Sequence, residues 1–305
     1  MTAERIPAAD QGRLRDRVLA ASLAARAPGR AVPEPPAISP STAFARAADR
    51  FDTLLASLSD SAWRQPVLRD LDVQGLVGHL IGVEEHVLRC LTGEGADLAE
   101  ADHVASTQPA AQRQVGAGVA STRAAWRSAV DATLGAIDSG LAASPDQVVA
   151  VYGLRMPVGA LLVVRSFELW THENDIRRAV GAEPSVPDAS TLRLMTDLAV
   201  RLLPHGFGRI AGDSAPCTVR MVLTGPGGGT WDVAFGRAST PSTAAGTAAG
   251  TTRRPVPPTR IVTDAVAFCR LTANRVAPEQ VPADVTGDTE LAARVLAGAA
   301  SLALD

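Results

Sequence analysis

The stretch from Val158 to Val180, VGALLVVRSFELWTHENDIRRAV, constrains this chain more than any other. It reads as an amphipathic helix opened by Pro157 at its first turn, with apolar residues crowding the first half and charges the second. Glu168 and His172 stand four residues apart, so both side chains share one face a turn apart, and Asp175 follows at plus three. A Glu and a His at this spacing are commonly a solvated helix pair. Here the carboxylate follows Leu161, Leu162, Val163 and Val164 and is flanked by Phe167, Leu169 and Trp170. It is therefore expected near a core, where a carboxylate needs a partner. A carboxylate and an imidazole so placed form half of a metal site.

A further ligand has to come from elsewhere among the 5 histidines. His103 reads as part of a polar loop, and His205, between Pro204 and Gly206, as the end of a helix. His79 and His86 both lie in DVQGLVGHLIGVEEHVLRCL, where Leu76, Leu80, Val83, Val87 and Leu91 recur at helical spacing behind Asp72 as N-cap. His79 falls on the apolar stripe, and His86 on the polar side with Glu84, Glu85 and Arg89. His79 is taken as the third ligand, with His86 as the alternative.

A chain of 305 residues, 46% hydrophobic, is long enough for two domains with real cores. A formal charge of −3 supplies no basic footprint for nucleic acid. Every cation is an arginine. Cys90, Cys217 and Cys269 form no C-x-x-C pair and read as reduced thiols of a cytoplasmic protein. No apolar run approaches the ~20 residues of a membrane span. A P-loop, a dinucleotide fingerprint and a G-x-S-x-G elbow are all missing.

Taken in order, residues 1–38 read as a proline-rich extension behind one short arginine-bearing helix. Helices are expected over Thr42 to about Leu58, with Ser41 as cap, then from Asp72 to about Gly93, and from Ala111 to Ile137, with Val115 among the inner residues of the last. Glu94 to Pro109 reads as a loop or lid. VVAVYGLRMPVGA is an extended segment before the Glu168 helix, and Gly181 ends that helix. These elements make one unit of residues 39–183.

Residues 184–305 read as a second unit of α+β character: a helix in TLRLMTDLAVRLLP, strands in CTVRMVLTG and TWDVAFG joined by a GPGGG turn, and a low-complexity insertion over 238–258. TRIVTD is a strand, AVAFCRLTANRV a helix, VPADVTGD a short strand and turn. Asp288 or Thr289 caps the last helix.

DLDVQGLVGHLIGVE followed much later by SFELWTHENDIRRAVG resembles the mycothiol-dependent maleylpyruvate isomerase family. The resemblance runs from about Thr42 to the carboxyl end. It implies an α+β chain: an amino-terminal DinB-like four-helix bundle followed by a smaller sterol-carrier-like α/β domain. It implies a divalent metal, usually zinc, on His79, Glu168 and His172. Mycothiol would be the thiol cosubstrate, and an arginine after the carboxyl-terminal helix would reach the active site. Arg275 fits that arginine, although Asn274-Arg275 replaces the family's Gly-Arg dipeptide. Tyr152 and Arg155, close to the metal mouth in related bundles, are candidates for thiol or substrate contact, or else a packed aromatic and a solvated cation. Asp175 either orients an imidazole or pairs with Arg177 or Arg178 on the helix surface.

Two imidazoles and one carboxylate leave a coordination position open, as in catalytic zinc sites, and the same set also suits non-haem iron. An open zinc binds a thiol and holds it as thiolate. With no cysteine in either ligand motif, the sulfur belongs to a small-molecule thiol. The resulting expectation is an isomerase or S-transferase acting on a small electrophile, in a cytoplasmic and preferentially monomeric protein with neither nucleic acid nor membrane as partner. The alternatives are a non-enzymatic, metal-stabilised binding protein and a zinc hydrolase using metal-bound water.

Overall fold

In a computed structural model of the chain, the described residues are 34–68, 70–94, 103–140, 144–211, 215–236 and 259–303. The amino-terminal extension up to residue 33, residues 95–102 of the expected lid and the insertion 238–258 lie outside them. Pro35 to Asp305 fall into one compact unit, which holds two hydrophobic cores.

Helix α1 (Pro40–Ser57) starts earlier than expected, because Ser39 Oγ accepts from Thr42 N at 3.0 Å and Pro40 is preorganised for the first turn. A 3-10 turn over Ala62–Arg64 and a small hairpin, β1 (Pro66–Leu68) and β2 (Leu71–Asp72), lead into α2 (Val73–Thr92). Asp72 caps α2 by accepting from Gly75 N at 2.8 Å. The expected single helix from Ala111 to Ile137 is two, α3 (His103–Gln114) and α4 (Val119–Asp138). Gly116, at φ 79°, breaks the run, and Val115 stands 78% exposed instead of facing inward. Helix α3 also takes His103 and Pro109 out of the expected loop.

The hairpin β3 (Val148–Val151) and β4 (Leu154–Pro157) turns through Tyr152 and Gly153, both at positive φ, and delivers the chain to α5 (Val158–Ala179). Helices α1, α2, α4 and α5 enclose the first core, with Phe44, Phe51, Leu80, Trp126, Leu161 and Leu169 at its centre. Helix α6 (Ala189–Ala211) continues seven residues past Pro204, so His205 is inside a helix and not at its end. The adjacent Gly206 is a packing residue, since a Cβ there would meet the carbonyl oxygen of Gly298 at 2.2 Å.

Strands β5 (Cys217–Thr224), β6 (Gly229–Phe235), β7 (Thr259–Asp264) and β8 (Ala283–Thr286) form a sheet in the order β6-β5-β7-β8. Pairing is antiparallel except for the parallel β5-β7 pair, and GPGGG is the β5-β6 turn. Val219, Met221, Leu223 and Ile261 point into the second core, covered by α6, α7 (Ala265–Thr272) and α8 (Thr289–Ala300), while Arg220 and Asp232 pair on the open face. The cap of α8 is Asp288, which accepts from Leu291 N.

Helix α5 belongs to both cores. Leu161, Leu162, Leu169 and Ile176 enter the first, and Val163 and Trp170, seven residues apart, enter the second. It is therefore buried nearly all round and not amphipathic, and even Arg165, Glu173 and Asp175 are buried.

Gly78 and Gly82, four apart on α2, let α3 approach to backbone contact: a Cβ at Gly78 would lie 2.8 Å from Ala111 Cα, and one at Gly82 3.0 Å from Thr107 Cα. Gly78→Val is expected to cost about 1–3 kcal/mol in urea unfolding, because backbone has to move. Gly135→Ala, in the open interior of α4 where no atom lies within 4 Å, is expected to gain about 0.5–1 kcal/mol.

Candidate metal centre

The remaining face of α5 carries Glu168 and His172 toward α2. There His79, Glu168 and His172 offer ligand atoms that all lie within 4.8 Å of one another. His79 Nε2 is 3.9 Å from Glu168 Oε1, and the two imidazoles meet nearly edge-on with centroids 6.2 Å apart. Adjacent donors on a tetrahedral ion at 2.0–2.1 Å are about 3.4 Å apart, so small side-chain rotations close this set around a divalent ion. Two borderline nitrogens and one carboxylate oxygen with room for another ligand fit zinc.

Each candidate ligand is held from behind. His79 Nδ1 is 2.7 Å from Thr107 Oγ1, a contact made possible by the glycine-lined approach of α3. His172 Nδ1 is 3.2 Å from Asp175 Oδ2. Burial of Asp175 opposes its charge, but hydrogen bonds and attraction from His172 and Arg275 outweigh that cost and hold its pKa at about 2. An ionised carboxylate only accepts, so the hydrogen of His172 sits on Nδ1 and its Nε2 lone pair is left available to an ion. Burial also lowers the pKa of His172, against the pull of Asp175, keeping the ring in its neutral, ligating form.

Glu168 is held by charge. Arg165, one turn earlier on α5, pairs with Glu168 Oε2 and donates through Nη2 and Nε to Glu84 Oε1 at 2.6 and 3.1 Å. Thr133 of α4 donates to Glu84 Oε2 at 3.1 Å. Arg165 and Glu84 are fully buried, which corrects the reading that put Glu84 on a polar side. Glu84 lies four residues after Leu80 and seven before Leu91, on the apolar stripe itself, and Arg165 interrupts the run LLVVRSF. Those two misfits were the available signal for the pair.

His86 is also buried and stands apart from the cluster. Its ring lies on Tyr152, centroids 4.4 Å apart, and its Nε2 is 3.5 Å from Cys90 Sγ. Tyr152, at φ 50°, is buried at the hairpin tip, and Arg155 is exposed; both line the cavity beside the cluster.

Arg275 reaches the site from the other end of the chain. Its Nη2 and Nε donate to Asp175 Oδ2 and Oδ1 at 2.9 and 3.0 Å, and Nη1 to Ala273 O. Asp175 thus contacts both His172 and Arg178, the latter at 3.4 Å. Asn274 N bonds to Leu271 O and Arg275 N to Arg270 O, with Asn274 at φ 52°: a Schellman cap whose left-handed residue is Asn274. Glycine and asparagine are the residues that adopt this conformation readily, which accounts for Asn in place of Gly before the arginine.

The cluster opens into a cavity of about 630 Å³ lined by α2, α3, the β3-β4 turn, α5, α6 and the segment ending at Arg275.

Residues 44–177 match the family model for the mycothiol maleylpyruvate isomerase N-terminal domain. The bundle belongs to this family. Among solved structures, the chain is similar to a crystal structure of the mycothiol-dependent maleylpyruvate isomerase, at 13% identity and TM-score 0.53, over 80% of this chain and 91% of that one. A structure of a single-residue mutant of such an isomerase matches over the same shares at TM-score 0.51, also at 13% identity. At this identity the likeness establishes the shared fold. Compared with curated proteins, the sequence has no match.

Arg165→Met alone is expected to cost about 3–5 kcal/mol, by leaving Glu84 buried without its partner. Removing both charges with Glu84→Leu is expected to recover most of that loss in thermal or urea unfolding. Thr107→Val is expected to lower zinc affinity about 10–100-fold in a chelator competition while leaving the fold intact.

Proposed function

We propose that this chain is a thiol-dependent metalloenzyme, an isomerase or S-transferase in which a low-molecular-weight thiol, mycothiol by family, attacks a small electrophile. The observation that carries it is the coupling through Asp175 of a three-donor cluster to a guanidinium, both facing one cavity. In the same reading residues 39–183 and 184–305 are the two working domains, the first supplying the metal ligands and the second Arg275, in a monomeric cytoplasmic protein.

His79, Glu168 and His172 would hold the metal. A zinc ion there supplies Lewis acidity that lowers the pKa of a bound thiol into the neutral range. Thr107 and Asp175 keep the Nδ1 hydrogens of the two rings in place, so that both Nε2 atoms serve as donors. Arg165 balances the Glu168 carboxylate, and the apolar walls keep water from competing with the sulfur nucleophile.

Arg275 would stabilise charge that develops on a substrate carbonyl or carboxylate oxygen. The sulfur adds to one carbon of an activated double bond and the π electrons move to the conjugated carbonyl oxygen. Rotation about the resulting single bond and loss of the thiol give the isomer, whereas protonation at the adjacent carbon gives a stable thioether.

Metal analysis of the purified chain and its variants, with maleylpyruvate and mycothiol as assay pair, tests this. His172→Ala is expected to lose the metal with its helical circular dichroism unchanged. Arg275→Ala is expected to keep the metal and lose about 10²–10³-fold in kcat. Full metal content in His172→Ala, or undiminished turnover in Arg275→Ala, would overturn the assignment.

A further inference from the structure

One stripe of α6 lines the cavity and changes character along its length. Leu198 and Leu202 are followed at helical spacing by His205 and Arg209, a run of about 16 Å at 1.5 Å per residue. Val164 and Phe167 of α5 and Met156 of β4 line the same space, as does Leu302 beyond α8. Leu202 is 39% exposed although it is large and apolar, and the cavity accounts for that exposure. Polar groups of the lining include the candidate metal ligands and Arg275, His205 and Arg209 one turn apart on α6, and Arg155 of β4. A pocket of several hundred Å³ with apolar walls and few placed polar groups suits a ligand with an apolar body and a fixed orientation.

A short dicarboxylate, such as the acid named in the structural neighbours, has no surface to bury on these walls. Resting on the thiol-dependent reading above, we infer that the electrophile is an α,β-unsaturated carbonyl compound with an apolar aliphatic or aryl body and a terminal carboxylate. Its body lies along Leu198, Leu202, Val164 and Phe167, and its carboxylate lies against His205 and Arg209. Its carbonyl oxygen faces Arg275. The thiol sulfur bonds to the β-carbon as the C=C π bond breaks, charge passes to the carbonyl oxygen, and the proton released by the thiol ends on the α-carbon. Atoms and charge balance without an oxidant or reductant.

The test uses a probe that has the body and the carboxylate but cannot react. Decanoate and maleate are titrated calorimetrically into the full-length protein and into Leu202→Asp and Arg209→Ala. Decanoate is expected to bind at least tenfold more tightly than maleate. Leu202→Asp is expected to weaken decanoate at least tenfold, and Arg209→Ala several-fold, with metal content unchanged in both.

Tighter binding of maleate, or decanoate binding indifferent to Leu202→Asp, would overturn the inference even if metal and thiol bind as proposed. Decanoate binding with these sensitivities in a protein that binds neither metal nor thiol would sustain the description of the cavity, and would remove the thiol chemistry assigned to its occupant.

Discussion

Asp175 is the residue on which the site depends. It is buried, and its charge persists only because His172 and Arg275 both donate to it. One carboxylate therefore sets the tautomer of a ligand from the bundle and the position of a guanidinium 100 residues away in sequence. Removing Arg275 would leave the buried Asp175 charge without its main counter-charge beside His172. A candidate metal ligand and the candidate oxyanion-stabilising group are consequently linked in geometry as well as in electrostatics.

A second buried charge system does the same for Glu168. Thr133, Glu84, Arg165 and Glu168 form a chain from α4 through α2 to α5, so three bundle helices determine where one ligand oxygen points. Isolated ion pairs at such depth seldom add net stability. Their retention at the edge of a metal cluster is intelligible as positioning: Glu168 keeps one oxygen for Arg165 and turns the other toward His79. The Gly78-Gly82 groove acts on the third ligand by steric means, admitting α3 until Thr107 meets His79.

Much of this was legible in the chain. The i,i+4 spacing of Glu168 and His172, and the position of His79 on the apolar stripe, identify the residues that the fold brings together, because helical periodicity is a local property. The strand segments, the GPGGG turn and a cap at Asp288 or Thr289 were legible for the same reason, whereas the sheet order with its parallel β5-β7 pair was not read. What was missed is non-local. Glu84 breaks the apolar stripe and Arg165 the apolar run, but nothing local joins two residues 81 apart, and the neighbours Glu85 and Arg89 made Glu84 look solvated.

The continuation of α6 through Pro204 went against local propensity, whereas the break at Gly116 followed it, through a glycine at positive φ. Gly206 looked like a terminator and is instead where α6 meets Gly298. The Asn274-Arg275 departure was a difficulty only at the level of residue identity, since the backbone there requires a left-handed residue and Asn provides one.

X-ray absorption at the zinc edge of the reconstituted full-length protein, before and after addition of mycothiol, tests the central claim most directly. The ligand set predicts nitrogen and oxygen scatterers at about 2.0–2.1 Å with two imidazole signatures, joined on thiol addition by one sulfur at about 2.3 Å. A sulfur scatterer already present without thiol, or metal–ligand distances unmoved by saturating thiol, would contradict the thiol-dependent metal centre built on His79, Glu168 and His172.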